Sequence, residues 1–206
     1  MIVGGGIVAC LSGYLLGRRG YKVTILEADS LGAHASGVAF GGLDPLTGIG
    51  APEPLLEFSI WCYGRHRSLA SELQEISGID VGFELRDRLN LAFTDGEVRK
   101  AKKDIEWMKD VGGFSVEWVD DVRARKLEPQ VSREIAGALF AQSPGAVEPY
   151  RFILAAMRAG EHYNVEMLQR RAVGLISEGG RCTGVRLENG AINAGFVVLA
   201  MGPWTG

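Results

Sequence analysis

The sequence is poor in proline, cysteine and histidine and carries no excess of basic charge. Seven prolines in 206 residues are too few for a low-complexity proline-glycine linker. Cys10, Cys62 and Cys182 are odd in number, scattered and without a Cys-x-x-Cys pair. That pattern argues against a disulfide framework or a zinc site and fits a reducing cytoplasm. His34, His66 and His162 show no ligand spacing, so no metal site is expected. The net charge is −3, from 22 basic and 25 acidic residues, and nucleic acid needs a clustered basic surface. Arg99, Lys100, Lys102 and Lys103 alternate with Glu97, Asp104 and Glu106, which reads as a solvated helix face. There is no Asn-x-Ser/Thr triplet. Residues 1–17 are apolar, but no basic segment precedes them, glycines interrupt them and they are too short to cross a bilayer. A buried strand, turn and helix is the expected reading, with no membrane span.

Glycine is what the sequence has in excess, 29 of 206 residues, about twice the usual share of roughly 7%. With 47% hydrophobic and 23% charged residues the chain is otherwise ordinary for a globular protein. The glycines therefore point to tight turns and close backbone approaches.

Residues 1–3 read as a strand, 4–6 as a turn, 7–19 as a helix ended by Gly20, and 21–26 as a second apolar strand. Together they make a βαβ unit. Residues 29–51 form a long glycine-rich loop of the kind that is usually functional. Pro52 suits the first turn of a helix over 53–76, which Gly78 stops. Strands are expected within 79–93, a helix over 96–110, a strand at 116–119, a helix at 120–127, a strand at 137–141 and a helix at 149–160. Strands over 171–177, 181–187 and 193–200 follow, the first two joined in a hairpin at Gly179-Gly180. The break in strand–helix alternation predicts an α/β fold, a Rossmann-like dinucleotide-binding domain in three layers (1–77 and 145–206) interrupted by an α+β domain (78–144).

The chemistry concentrates at Gly4-x-Gly6-x-x-Ala9, between a strand and a helix, where a dinucleotide fingerprint belongs. Gly4 permits the tight turn, Gly6 lets the backbone approach a pyrophosphate, and Ala9 lets the helix pack close to the strand. The helix N-terminus offers free N–H groups and the positive end of its dipole. Glu27 closes the second strand, where a carboxylate can accept hydrogen bonds from a ribose diol and would repel a 2′-phosphate. These residues do not separate FAD from NAD. The loop 35–43 favours FAD, because glycines with small neighbours let backbone approach a flat ring system. The strand ending Ala200-Met201-Gly202 suits close contact with the same cofactor.

Taken with Glu27-Ala28, Ser36-Gly37, Gly41-Gly42, Arg88-Leu89-Asn90-Leu91-Ala92-Phe93, Val147-Glu148-Pro149-Tyr150 and Ala200-Met201-Gly202-Pro203-Trp204, the sequence resembles the D-amino-acid oxidase superfamily of FAD enzymes. Within it, the 88–98 and 147–150 stretches look most like the glycine oxidases of thiazole synthesis. The resemblance covers essentially the whole chain. It implies that Gly4, Gly6, Ile7 and Val8 hold the pyrophosphate, with Ala9 as the fingerprint's third small residue. It implies Glu27 on the adenosine ribose, Ala28 beside the adenosine and the Val173 backbone at the adenine. Ser36, Gly41, Gly42 and Leu43 would line the FAD, and Ala200, Gly202 and Trp204 would close over it. Family members run nearly twice as far, so the resemblance implies a truncated chain. It would lack part of the substrate domain and the arginine that grips a substrate carboxylate.

The resemblance implies oxidation of the amine carbon of glycine, sarcosine or a D-amino acid to an imine, with hydride passing to flavin N5 and oxygen as acceptor. No side-chain base is needed, and no catalytic residue is expected within the 206 residues. Glu53, Arg65 and His66 read as helix surface and Glu148 as a loop cap. The partner is a small amino acid or amine, and a homo-oligomer is compatible with the complete form. Three alternatives stand beside this reading. One is a silent fragment with no activity of its own; a second is a related FAD dehydrogenase passing electrons to a quinone. The third, an NAD-dependent dehydrogenase, leaves the 35–43 loop unexplained.

Overall fold

The computed structural model describes residues 1–46, 54–142 and 144–205. Gly48, Gly50, Pro52 and Glu53, and with them the expected helix start, lie outside the described residues. The elements begin β1 (Ile2–Val3), α1 (Ile7–Arg18), β2 (Val23–Glu27), β3 (Gly42–Leu43), α2 (Leu56–Ser77), β4 (Glu84–Leu85) and β5 (Arg88–Ala92). They continue α3 (Asp95–Met108), β6 (Ser115–Asp120), α4 (Asp121–Leu127), β7 (Gly137–Gln142) and β8 (Gly145–Ala146). The chain closes with α5 (Pro149–Glu161), β9 (Val165–Gln169), β10 (Ala172–Glu178), β11 (Arg181–Leu187), β12 (Ala191–Asn193), β13 (Val198–Leu199) and a helical turn at Gly202–Trp204. They fall into two compact units.

The first unit comprises Met1–Gly41, Ser68–Gly82 and Val147–Gly206. Its centre is a parallel sheet in the order β13-β1-β2-β9, with Ile2 opposite Val198 and Ile25, and Val3 opposite Leu199 and Leu26. Alternation along each strand separates two faces. Ile25 faces α1, where a Cβ on Gly13 would lie 3.0 Å from its Cδ1. Val3 and Leu26 face the other way and cluster with Val185 and Leu187 of β11. The result is three layers: helices α1 and α5, the parallel sheet, and the antiparallel sheet β10-β11-β12. Glycines set how closely the first two layers approach. A Cβ on Gly17 would meet Val165 Cγ2 at 2.7 Å, and one on Gly160 would lie 3.2 Å from Val165 Cβ. Helix α5 starts where Pro149 needs no N–H partner and Glu148 accepts from the N–H of Arg151 at 2.7 Å.

Two expectations for this unit are corrected. Strand β9 was not foreseen, because Glu166 and Gln169 interrupt its apolar pattern at a sheet edge. The single strand expected over 193–200 is two: β12 ends at Asn193 in one sheet and β13 starts at Val198 in another.

The second unit comprises Gly42–Arg67 and Phe83–Ala146. Its antiparallel sheet runs β5-β7-β6. Central β7 is buried on both faces: Leu139 and Ala141 pack with Ile105 and Met108 of α3, and Ala138 and Phe140 with Ala124 of α4. A capping box starts α3, in which Thr94 Oγ1 accepts from the Glu97 N–H and Glu97 Oε2 from the Thr94 N–H. A small sheet β3-β8-β4 completes the unit. It was unforeseen because two-residue strands carry no periodicity. The strand pattern expected across 79–93 condenses to β4 and β5. Among the described residues no helix is long and apolar enough to cross a membrane, and no group of three or more acidic, histidine or cysteine side chains is placed to hold a metal.

Candidate cofactor-binding site

Strand β1 ends at Val3, and its neighbours on the two sides, β2 and β13, are reached by different parts of the chain. Ligands bind at such a switch point, beyond the carboxyl ends of the strands. A cavity of about 400 Å³ lies there.

The turn at its base is built from glycines for a steric reason. Gly4 holds φ +113°, and a Cβ there would lie 2.4 Å from the Ala200 carbonyl oxygen. Its N–H donates to the Leu26 carbonyl at 2.8 Å, binding the turn to β2. A Cβ on Gly5 would lie 2.7 Å from Glu27 Oε2, and one on Gly6 would lie 2.9 Å from Ser36 Oγ. Gly6 is the N-cap of α1 and supplies no side-chain cap, and the first turn holds no acidic residue. The helix therefore presents N–H groups and its positive dipole end to the cavity without an internal anion. The Ile7 N–H donates to Ser36 Oγ at 3.2 Å, which draws the loop after β2 over the helix start. Ala9 is fully buried, which lets the helix sit tight on the sheet.

Glu27 ends β2 with Oε1 accepting from the Asp29 N–H at 2.8 Å. Asp29 Oδ2 meets His34 Nε2 at 2.8 Å, and Asp29 Oδ1 lies 3.6 Å from the Arg171 guanidinium. Beneath the turn, the buried Cys10 thiol donates to the Gly5 carbonyl. Burial, and then the Glu27 carboxylate, push its pKa up to about 12. It is an inert core group.

Of the expected residues, Gly4, Gly6, Val8, Glu27, Ala28, Ser36, Ala200, Gly202 and Trp204 line this cavity. Ile7 does not line it, and its N–H donates to Ser36 Oγ; Ala9 contributes its small size. The others are not among the residues that line the cavity. Gly41 turns the chain at φ +81° and accepts from the Val147 N–H at 3.0 Å. Gly42 and Leu43 form β3 in the second unit. Val173 is half exposed on β10, while the adjacent Ala172 lines the cavity. Glu148 caps α5, as expected. Arg65 and His66, expected on a helix surface, are half-buried, and burial lowers the His66 pKa.

Sequence reasoning missed Asp29, His34, Arg170 and Arg171 in the cavity wall. The two arginines follow β9, the strand whose pattern was itself illegible. The Asp29–His34 pair, five residues apart in a glycine loop, leaves no periodic signal.

A glycine turn too tight for side chains, a helix start with a glycine N-cap and no acid in its first turn, and an acid at the end of the next strand define a dinucleotide-binding domain. The chain belongs to the family of FAD dependent oxidoreductases (DAO), whose model matches residues 1–206, and FAD is the cofactor of that family. Glycine oxidase of Bacillus licheniformis is 28% identical over 207 residues, covering 100% of this chain and 54% of that protein. The beta subunit of sarcosine oxidase from Arthrobacter sp is 28% identical over 209 residues, covering 97% of this chain and 50% of the subunit. The crystal structure of glycine oxidase from Geobacillus kaustophilus superposes with a TM-score of 0.91 at 26% identity, over 99% of this chain and 55% of that one. The chain spans about half the length of the curated relatives it matches.

Proposed function

We propose that the whole protein is an FAD-dependent oxidase of small amino acids, converting the amine-bearing carbon of glycine, sarcosine or a D-amino acid to an imine. FAD held in the cavity would supply the two-electron acceptor, and oxygen would be the final acceptor. The observation that carries the reading is the cavity at the β1 switch point, where Gly4–Gly6, the N-terminus of α1 and Glu27 converge.

The chain's own part is to bind and orient. Gly4, Gly6, Ile7 and Val8 would take the pyrophosphate at the α1 N-terminus, with Ala9 beneath. Glu27 would accept hydrogen bonds from the adenosine ribose, with Ala28 beside it and Val173 presenting backbone to the adenine. Ser36, Gly41, Gly42 and Leu43 would follow the FAD toward its ring system, and Ala200, Gly202 and Trp204 would close over it. The first unit would be the FAD-binding domain and the second part of a substrate domain. Cysteine usage favours the cytoplasm.

The first test is the visible spectrum of the purified chain after incubation with FAD and gel filtration. A retained flavin band is expected, and a chain that emerges colourless overturns the cavity assignment. For the whole protein, oxygen consumption with glycine or sarcosine should yield stoichiometric peroxide. Quinone reduction without peroxide would instead favour a dehydrogenase.

A further inference from the structure

His34 and Trp204 both line the nucleotide cavity. Their rings meet with centroids 4.8 Å apart and planes tilted by 49°, within the range of favourable aromatic pairs. His34 comes from the loop after β2, and Trp204 from the helical turn after β13. Those strands flank β1 on opposite sides, so the ring contact joins the two sides of the switch point. Both side chains keep large exposed areas, Trp204 being 59% exposed and the His34 side chain 50%. A contact that served only the core would bury these rings.

The imidazole is held in place. Its Nε2 meets Asp29 Oδ2 at 2.8 Å, and the Asp29 N–H donates to Glu27 Oε1 at 2.8 Å. One chain of contacts thus runs from the proposed ribose acceptor to the ring pair. We propose that His34 and Trp204 form a clasp that retains FAD in the cavity, with Asp29 as the residue that positions His34. The clasp rests on the reading of this cavity as the FAD site. It gives His34 and Asp29 a role that the glycine fingerprint does not contain. Closing the cavity with a ring pair, rather than with covalent or buried contacts, lets the cofactor enter and leaves release slow.

The test compares the wild-type chain with His34→Ala, Trp204→Leu, the double variant, Trp204→Phe and Asp29→Ala. FAD affinity and release are followed by flavin fluorescence. The His34 imidazole resonances are followed by NMR without FAD. In the wild type, the Trp204 ring current should displace the His34 signals, and Trp204→Leu should abolish the displacement. Each single loss should speed FAD release roughly three- to tenfold, the range of one aromatic pair. The double variant should lose little more than either single, because the two rings act as one unit. Trp204→Phe should restore most of the retention. Asp29→Ala should shift the His34 resonances and speed release while leaving the rest of the spectrum dispersed. Release at the wild-type rate from every variant, or single effects that add in full, overturns the clasp and leaves the FAD assignment intact. A wild-type chain that takes up no FAD overturns both.

Discussion

At Gly4 the backbone and the cavity make the same demand. Alanine there would bring a methyl carbon to 2.4 Å from the Ala200 oxygen at φ +113°, a cost of about 1–3 kcal/mol before any repacking. Gly4→Ala is expected to lower the thermal midpoint and abolish FAD retention, checked by calorimetry and by the flavin band after gel filtration. Glu27 is different, because its change leaves the fold. Glu27→Ala removes a charged acceptor worth about 1.5–3 kcal/mol, so FAD affinity should fall roughly ten- to hundredfold in a fluorescence titration. The same substitution removes the second cause of the raised Cys10 pKa but not burial, the first. Gly4, Gly6, Ala9 and Glu27 were legible because the fingerprint is local, with each residue's demand met by its neighbours in a strand, turn and helix. His34 and Asp29 were not, because their partners lie across the cavity or in an irregular loop.

At the scale of elements, the clearest local signals are caps. The capping box of α3 predicts that Thr94→Ala costs about 1 kcal/mol, read as a lower denaturation midpoint. Its second member carries a pH dependence. The N–H groups of Phe93 and Thr94, then the Thr94 hydroxyl, bond the Glu97 carboxylate and lower its pKa. A carboxyl with a depressed folded-state pKa contributes stability above its unfolded pKa, near 4.5, and loses it as pH falls through the folded value. Acid titration of Glu97→Gln should show a shallower stability loss below that point than the parent. Helix α1 and the β10–β11 hairpin were readable from apolar runs ended by glycine, and strand β2 from an apolar run between Gly20 and Glu27. Strand β9 was not, since an edge position tolerates Glu166 and Gln169. Nor was the division of 193–200, because only the sheets to which β12 and β13 belong decide where one ends and the other begins.

At the scale of the whole molecule, two buried groups make alkali the expected route to unfolding. Burial, then the Glu27 charge, raise Cys10 to about 12, and burial together with the hydrogen bond to Glu72 raises Tyr14 to about 12. Both are protonated in the fold, and both ionise sooner when unfolded, from ordinary values of 9.0 and 10.0. Their contribution is intact below those values and lost as pH rises toward 12. Circular dichroism should show cooperative loss of structure in that window, and Tyr14→Phe should move its midpoint upward. The sequence by itself determined the βαβ start, the dinucleotide class and the glycine turn, because those rest on residues within about 25 positions of one another. Only the tertiary structure decided which of the later segments reach the site. The parallel sheet places β13 beside β1 and brings Ala200, Gly202 and Trp204 to the cavity. Strand order depends on pairing between distant segments, and no local pattern encodes it.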